Sequence, residues 1–334
     1  MMMDLPELII LDVGHGNCTL VRETDGVILI DCPPGSTLLE TLEHLSIREI
    51  SHVLISHADA DHIGGIINLL SNEEIKIHNV HLNPNAIKKT EIWLDLRCAL
   101  AEARKCRNTQ VSTELTTRKT GTLNIGSVNI EVLAPTPELI LGGAGDIDIK
   151  KRKLTSNSVS AVIGIVHDTH RIAVLAGDID KVGLENLAED IDSCNADILV
   201  FPHHGGRPGD GDAKEFTQKI CSFIQPKLII FSIDRHRFNN PRSDIVEEII
   251  NSFPEAHILC TQLSKQCAAN VPIEEPAHLS GIPARGSNSN SCCGGSINIK
   301  INGDKKDYIS EFFAHKEFVT NQVPNAICRK FIPR

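Results

Sequence analysis

The chain has 334 residues, 41% of them hydrophobic, and its 33 basic against 43 acidic side chains give a formal net charge of −10. That apolar share supports a real core, while the acidic balance excludes broad, sequence-independent coating of nucleic acid and leaves room only for a local basic groove. No apolar run approaches the roughly 18 residues of a spanning helix, and the acidic start (Met1 to Glu7) lacks the basic segment of a secretory signal, so a cytoplasmic protein with no membrane segment is expected.

Residues 8–13 read as a strand, Gly14-His15-Gly16-Asn17 as a turn, and 18–22 as a second strand. Asp25-Gly26 is a two-residue hairpin signal into 27–31, so the chain opens with an antiparallel meander. Leu38, Leu39, Leu42 and Leu45 follow helical spacing and lead to the β-branched strand 50–55. Directly after it, His57, Asp59, Asp61 and His62 place two imidazoles and two carboxylates within six residues. Imidazole with carboxylate suits borderline divalent metals, and this density points to a metal site. The plainer alternative makes Asp61 the N-cap of the short helix that Gly64-Gly65 introduces.

Residues 75–82 form a further strand, and Trp93, Leu96 and Leu100 mark a helix to about Cys106. After the strand 128–134, a Pro- and Gly-rich stretch up to Ser158, with Lys150, Lys151, Arg152 and Lys153, reads as a long exposed loop. Its role is a solvated connection or, alternatively, phosphate contact. A second hairpin, 159–166 and 171–176, ends on Gly177-Asp178. A strand at 197–201 ends on Pro202-His203-His204-Gly205-Gly206, and after a helix near 213–223 the strand 228–232 leads to Asp234, Arg235, His236 and Arg237. Strand after strand ends on a polar residue, and such ligands meet only if the strands lie side by side and present one edge.

In the last quarter, Cys260, Cys267, Cys292 and Cys293 raise a structural zinc site, although paired Cys-x-x-Cys knuckles are absent. Residues 272–291 read as a flexible loop, and 296–301 with 307–309 as a hairpin around Asn302-Gly303. No Walker-type phosphate loop is present.

His57-x-Asp59-x-Asp61-His62, Gly177-Asp178 and Pro202-His203-His204-Gly205 resemble the metal motifs of the metallo-β-lactamase superfamily. Asp12-Val13-Gly14-x-Gly16, Asn157-Ser158-x-Ser160 and Asp234-Arg235 sharpen the resemblance to the hydrolase-like domain of the DNA-uptake protein ComEC/Rec2 and its stand-alone relatives, from about residue 8 to about residue 260. The resemblance implies an αββα sandwich of two mixed sheets flanked by helices. Here residues 1–265 would form the hydrolase domain and 266–334 a loop and C-terminal hairpin packed on it. It also implies two divalent ions, zinc or manganese. One would use His57 and Asp59, the other Asp61 and His62, with Asp178 bridging and His203 or His204 completing the shell; His81 or Asn83 would supply the further ligand the superfamily takes from the next strand. In such sites a hydroxide held between the metals attacks, with Asp61, His62 and Asp178 around it. Asp12, Asp31 and Gly16 would support the ligands from behind.

Gly206 stands where the branch has a serine, and Asn240 before Pro241 where it has a histidine. Asn240, with His236, Arg235 and Arg237, is the expected substrate contact. The leading expectation is a phosphodiesterase or nuclease acting on DNA. Its rivals are a small-molecule hydrolase opening a lactone, thioester or cyclic nucleotide, and a metal-stabilised effector or assembly module that needs a protein partner or a second copy.

Overall fold

β-Branched runs too short for helices, alternating with amphipathic segments of helical period, set the layers. The computed structural model describes residues 6–273, 275–301 and 312–329. Its first half holds β1 (Glu7–Ile10), β2 (Thr19–Glu23), β3 (Gly26–Ile30), α1 (Thr37–His44), β4 (Glu49–Ile55), α2 (Ala60–Ile63), α3 (Ile66–Ser71), β5 (Lys76–Leu82), α4 (Glu91–Cys106) and β6 (Gln110–Ser112). Its second holds β7 (Val128–Ala134), α5 (Pro137–Gly142), β8 (Val162–His167), β9 (His170–Leu175), α6 (Lys181–Asp190), β10 (Ile198–Val200), α7 (Ala213–Ile224), β11 (Leu228–Phe231), α8 (Ser243–Ser252) and β12 (His257–Cys260). β13 (Ile297–Lys300) and α9 (Phe313–Gln322) follow.

The first sheet has the order β13-β1-β2-β3-β4-β5-β6 and the second β12-β11-β10-β9-β8-β7. Each half runs as an antiparallel meander and then turns parallel, β3 to β6 in one sheet and β9 to β12 in the other. Side-chain alternation divides the core. Leu8, Ile10, Ile28, Ile30 and Leu54 meet Ile130, Ile163, Leu175, Val200 and Ile230 between the sheets. Ile9, Val53, Ile55, Val80 and Leu82 point outward beneath Leu38, Leu69, Trp93 and Leu96 of the helices. On the far side Ile229 and Phe231 lie under Phe216, Ile220, Ile245 and Ile249. The result is the four-layer αββα sandwich expected.

Three expectations change. The stretch 135–158 is not a plain loop: α5 and a small core of Leu139, Ala144, Leu154 and Val159 organise it. Half of its basic run is engaged, with Arg152 bonded to Asp148, Glu185 and Glu189 and Lys150 2.6 Å from Glu189. The segment read as flexible before Ser291 contains a 3-10 turn, Arg285–Ser289, that docks on Asp12 through the backbone N–H groups of Arg285 and Gly286 at 2.9 and 2.8 Å. The four C-terminal thiols do not converge as a zinc set: Cys260, Cys267 and Cys293 gather with Cys328 in the outer core, while Cys292 turns to Asp12.

Of the terminal hairpin, β13 is seen, paired antiparallel with β1; its expected partner strand and the Asn302-Gly303 turn lie outside the described residues. α9, unanticipated, buries Phe318 and Val319 against the second sheet's outer layer. No helix among the described residues is long and apolar enough to cross a membrane.

Candidate metal centre

β4 delivers Ser56 and His57 at its C-terminal end, and the chain turns at once into α2. Asp59 precedes that helix, so Asp61 lies within its first turn and does not cap it through its side chain. The second sheet brings Asp178 from the end of β9 and His203 and His204 from the turn after β10. Asp61, His62, Asp178 and His204 offer ligand atoms that all lie within 4.8 Å of one another. His62 Nε2 is 3.5 Å from Asp178 Oδ1, and His204 Nε2 is 3.5 Å from Asp61 Oδ2.

These imidazoles are aimed from behind. His62 Nδ1 donates to Asp31 at 2.7 Å, and His204 Nδ1 donates to the Ser232 carbonyl at 2.9 Å. Each ring therefore turns Nε2, a lone pair with no hydrogen-bond partner, into the cluster. A buried imidazole lone pair without a donor is costly in an apo protein, and two of them facing two carboxylates fit a divalent cation. Asp31, buried and at φ +59°, also accepts from the Ser56 N–H and hydroxyl at 2.7 and 2.8 Å. It is the fixed point behind both motif histidines.

The electrostatics follow from this crowding. Burial alone would raise Asp178, but His62 and His204 hold its carboxyl well below the usual range. Burial would likewise raise Asp61, but His15 at 3.0 Å and the closeness of His204 and His62 bring it far below. Burial would lower His62, whereas Asp31 and Asp178 push it well up, which favours a cation, proton or metal, at Nε2. His57, buried and beside His62, is pushed down to about 4.

A second set borders the first. His57 Nε2 has no partner and lies 3.9 Å from Asp59 Oδ2. Behind it, Nδ1 faces the hydroxyls of Ser56 at 3.1 Å and Ser160 at 3.4 Å. His203 places Nδ1 3.7 Å from Asp178 Oδ2 and its backbone N–H 3.1 Å from Oδ1. Burial lowers the His203 pKa, and its Nε2 is unpartnered. His203 and His204 both hold φ near +55°, conformations costing of order 1 kcal/mol or more each outside glycine, which the turn after β10 imposes. The other oxygen of Asp59 is bonded by the Lys88 ammonium.

Other expected residues fall elsewhere. His81 shares its strand face with Leu54, not with the helix-facing Val80 and Leu82, and its Nε2 lies 3.1 Å from His52 Nδ1. Burial and His52 push its pKa down to about 4. Asn83 is spent on the backbone of Leu115, with both bonds at 2.8 Å. Neither joins the cluster.

Arg235 is 4% exposed, and its guanidinium donates to the carbonyls of Leu263, Ala268 and Ala269; it staples that turn and is not offered to a substrate. His236 and Arg237 are exposed, and Asn240 lies beside Gly206, whose Cβ would sit 3.4 Å from its amide. Asp12 is fully buried and accepts from Gly14, Gln262 and Gly286, pinning the N-terminal turn. Gly16 permits that turn to touch the motif: at φ +136°, a Cβ there would lie 2.5 Å from the Asp61 carbonyl.

The sequence reading missed His15 and Phe238. His15 Nε2 is 3.0 Å from Asp61 Oδ2, its ring 4.4 Å from that of His204 and 4.7 Å from that of Phe238. The signal was present in a histidine flanked by glycines.

"ComE operon protein 3" of Bacillus subtilis (strain 168) is 24% identical over 264 residues, covering 72% of this chain but only 30% of that protein. Among solved structures, the metallo-beta-lactamase fold protein YhfI from Bacillus subtilis aligns with a TM-score of 0.48 at 13% identity, over 76% of this chain and 96% of that one. Igni18, described as a novel metallo hydrolase from Ignicoccus hospitalis KIN4/I, aligns with 0.44 at 16%, over 89% and 100%. Residues 11–183, which carry β2 to β9, the His57 motif and Asp178, match the sequence profile described as "Metallo-beta-lactamase superfamily", and the chain belongs to that superfamily.

Proposed function

We propose that the chain is a metal-dependent hydrolase of phosphodiesters, with DNA as its substrate class. The observation that carries this is the four-donor cluster of Asp61, His62, Asp178 and His204, with two buried imidazole lone pairs turned into it. In this reading those four residues hold one divalent ion, and His57, Asp59 and Asp178, with His203 alongside, flank a second. Mixed nitrogen and oxygen donors suit zinc or manganese. A divalent ion in such a set supplies charge that polarises a phosphoryl oxygen and acidifies water.

The chain's own groups do the rest. Asp31 keeps the His62 proton on Nδ1, so that Nε2 remains a donor atom. Asp61, held anionic between His15 and His204, accepts and orients the proton of an attacking water. The exposed Phe238, its ring tilted against that of His15, walls the approach. Likeness of the motifs to the DNA-uptake branch supports the substrate class, which the superfamily alone leaves broad.

The test is metal analysis of the purified chain coupled to cleavage assays on single- and double-stranded DNA with manganese, zinc or magnesium. Cleavage that disappears with chelator and on Asp61→Ala is the expected result. Absence of cleavage of either form with all three metals overturns the reading.

A further inference from the structure

On the outer face of the first sheet, beside the metal-ligand edge, a cleft of about 540 Å³ opens between the end of β5, β6 and α4. This is the size range of a small-ligand pocket. Leu82, Trp93, Leu100 and Val111 give it an apolar floor, and Lys88, Arg97 and Arg104 supply three cations. Lys88 links the cleft to the centre, because its ammonium bonds Asp59.

The cations are sorted. Arg97, Leu100, Ala101 and Arg104 share one face of α4 by their helical spacing, while the acidic Glu91, Asp95 and Glu102 of that helix do not line the cleft. Arg97 and Arg104 are exposed and, among the described residues, have no carboxylate partner. On a chain of formal charge −10, two unpaired guanidinia over an apolar floor are a local exception.

Resting on the phosphodiesterase reading, we propose that this cleft is the subsite for the single-stranded segment flanking the scissile phosphate. A base or sugar lies on the apolar floor, and Arg97 and Arg104 hold phosphates. Seven residues of α-helix separate the two guanidinium positions by about 10 Å, roughly three steps of a stacked strand at about 3.4 Å each. The strand then leaves the cleft past Lys88 toward Asp59. This assigns phosphate contacts that Arg235, Lys150 and Arg152, each already held by the protein, do not supply.

The test measures binding of a fluorescent oligothymidine by anisotropy in chelator, so that no cleavage intervenes. For Arg97→Ala/Arg104→Ala, affinity falls about tenfold at low salt, and the slope of log K against log salt becomes shallower by about 1.4, the loss of two single-strand phosphate contacts. Lys105→Ala, on the same helix but outside the cleft, binds as wild type. Unchanged affinity and slope in the double variant, or no binding by wild type, overturn the proposal. With metal restored, the double variant raises KM and leaves kcat near wild type. If wild type binds through these arginines but cuts no DNA, the hydrolase reading fails and the subsite stands; if wild type cuts and the double variant binds and cuts identically, the subsite fails alone.

Discussion

Asp31→Asn separates the support of a ligand from the ligand itself. The carboxylate accepts three hydrogen bonds, from the Ser56 N–H, the Ser56 hydroxyl and His62 Nδ1, at 2.7, 2.8 and 2.7 Å. The amide keeps the shape and can still accept from Ser56 N–H, but its NH₂ then faces His62. Donation to Nδ1 moves the imidazole proton to Nε2 and blocks the atom turned into the cluster. The expected loss of metal affinity is about 10- to 100-fold, the range for removing the partner behind a ligating histidine, or about 1.4 to 2.8 kcal/mol. Asp31→Ala strands the Ser56 N–H, whereas the Ser56 hydroxyl can turn to His57 and its oxygen, 3.2 Å from His62 Nδ1, can accept from that ring; one orphaned donor costs about 1 to 3 kcal/mol of folding stability. Calorimetric titration with zinc or manganese reads the first effect and denaturant unfolding the second. Metal affinity unchanged in a folded Asp31→Asn protein refutes the reasoning.

Gly16→Ala puts a Cβ against the Asp61 carbonyl at a positive φ, and thermal melts are expected to show a loss of about 1 to 3 kcal/mol, with none indicating that the turn relaxes freely. Phe238→Ala, at a residue 61% exposed, leaves stability within about 0.5 kcal/mol but raises KM for DNA; equal KM values remove Phe238 from the approach wall. Beneath α9, His257, His278 and His315 pack around Cys293, and burial lowers all three pKa values, His257 to about 4 from the ordinary 6.5, with Lys316 and the neighbouring imidazoles adding to it. Below 6.5 the unfolded chain takes up protons first, so this stability is full above about 6.5 and is lost as pH falls through the folded values. His257 alone accounts for about 2 kcal/mol at pH 5. Calorimetry from pH 7 to 5 is expected to show a shallower decline for His257→Gln, and parallel curves would contradict this.

The layers were readable because burial imposes a period. β-Branched runs such as 50–55 and 128–134 are strands in the structure, and the convergence of strand ends followed from their polar terminal residues. The sequence could not say where single side chains point once a strand ends. His81 is one residue out of phase with Leu82, and that parity sends it to His52. Arg235 reads as a loop cation, yet three backbone carbonyls of a turn about thirty positions later claim it. The Pro- and Gly-rich stretch 135–158 hid a small core because its buried Leu139, Ala144 and Leu154, joined by Val159, follow no period. The pairing of β13 with β1 joins segments nearly three hundred residues apart, a distance at which local pattern carries no information.

The four-donor cluster is also a seam. Asp61 and His62 follow a strand of the first sheet, Asp178 and His204 strands of the second, so an ion held among them would clasp two sheets that otherwise meet there through apolar packing and a few hydrogen bonds such as Ala161 N–H to the Ser56 carbonyl at 2.9 Å. Affinity and cohesion are then one quantity: free ion at a hundredfold excess over its dissociation constant adds about 2.7 kcal/mol against separation of the halves. Metal supply would thus set how long the folded sandwich survives as well as how fast it works.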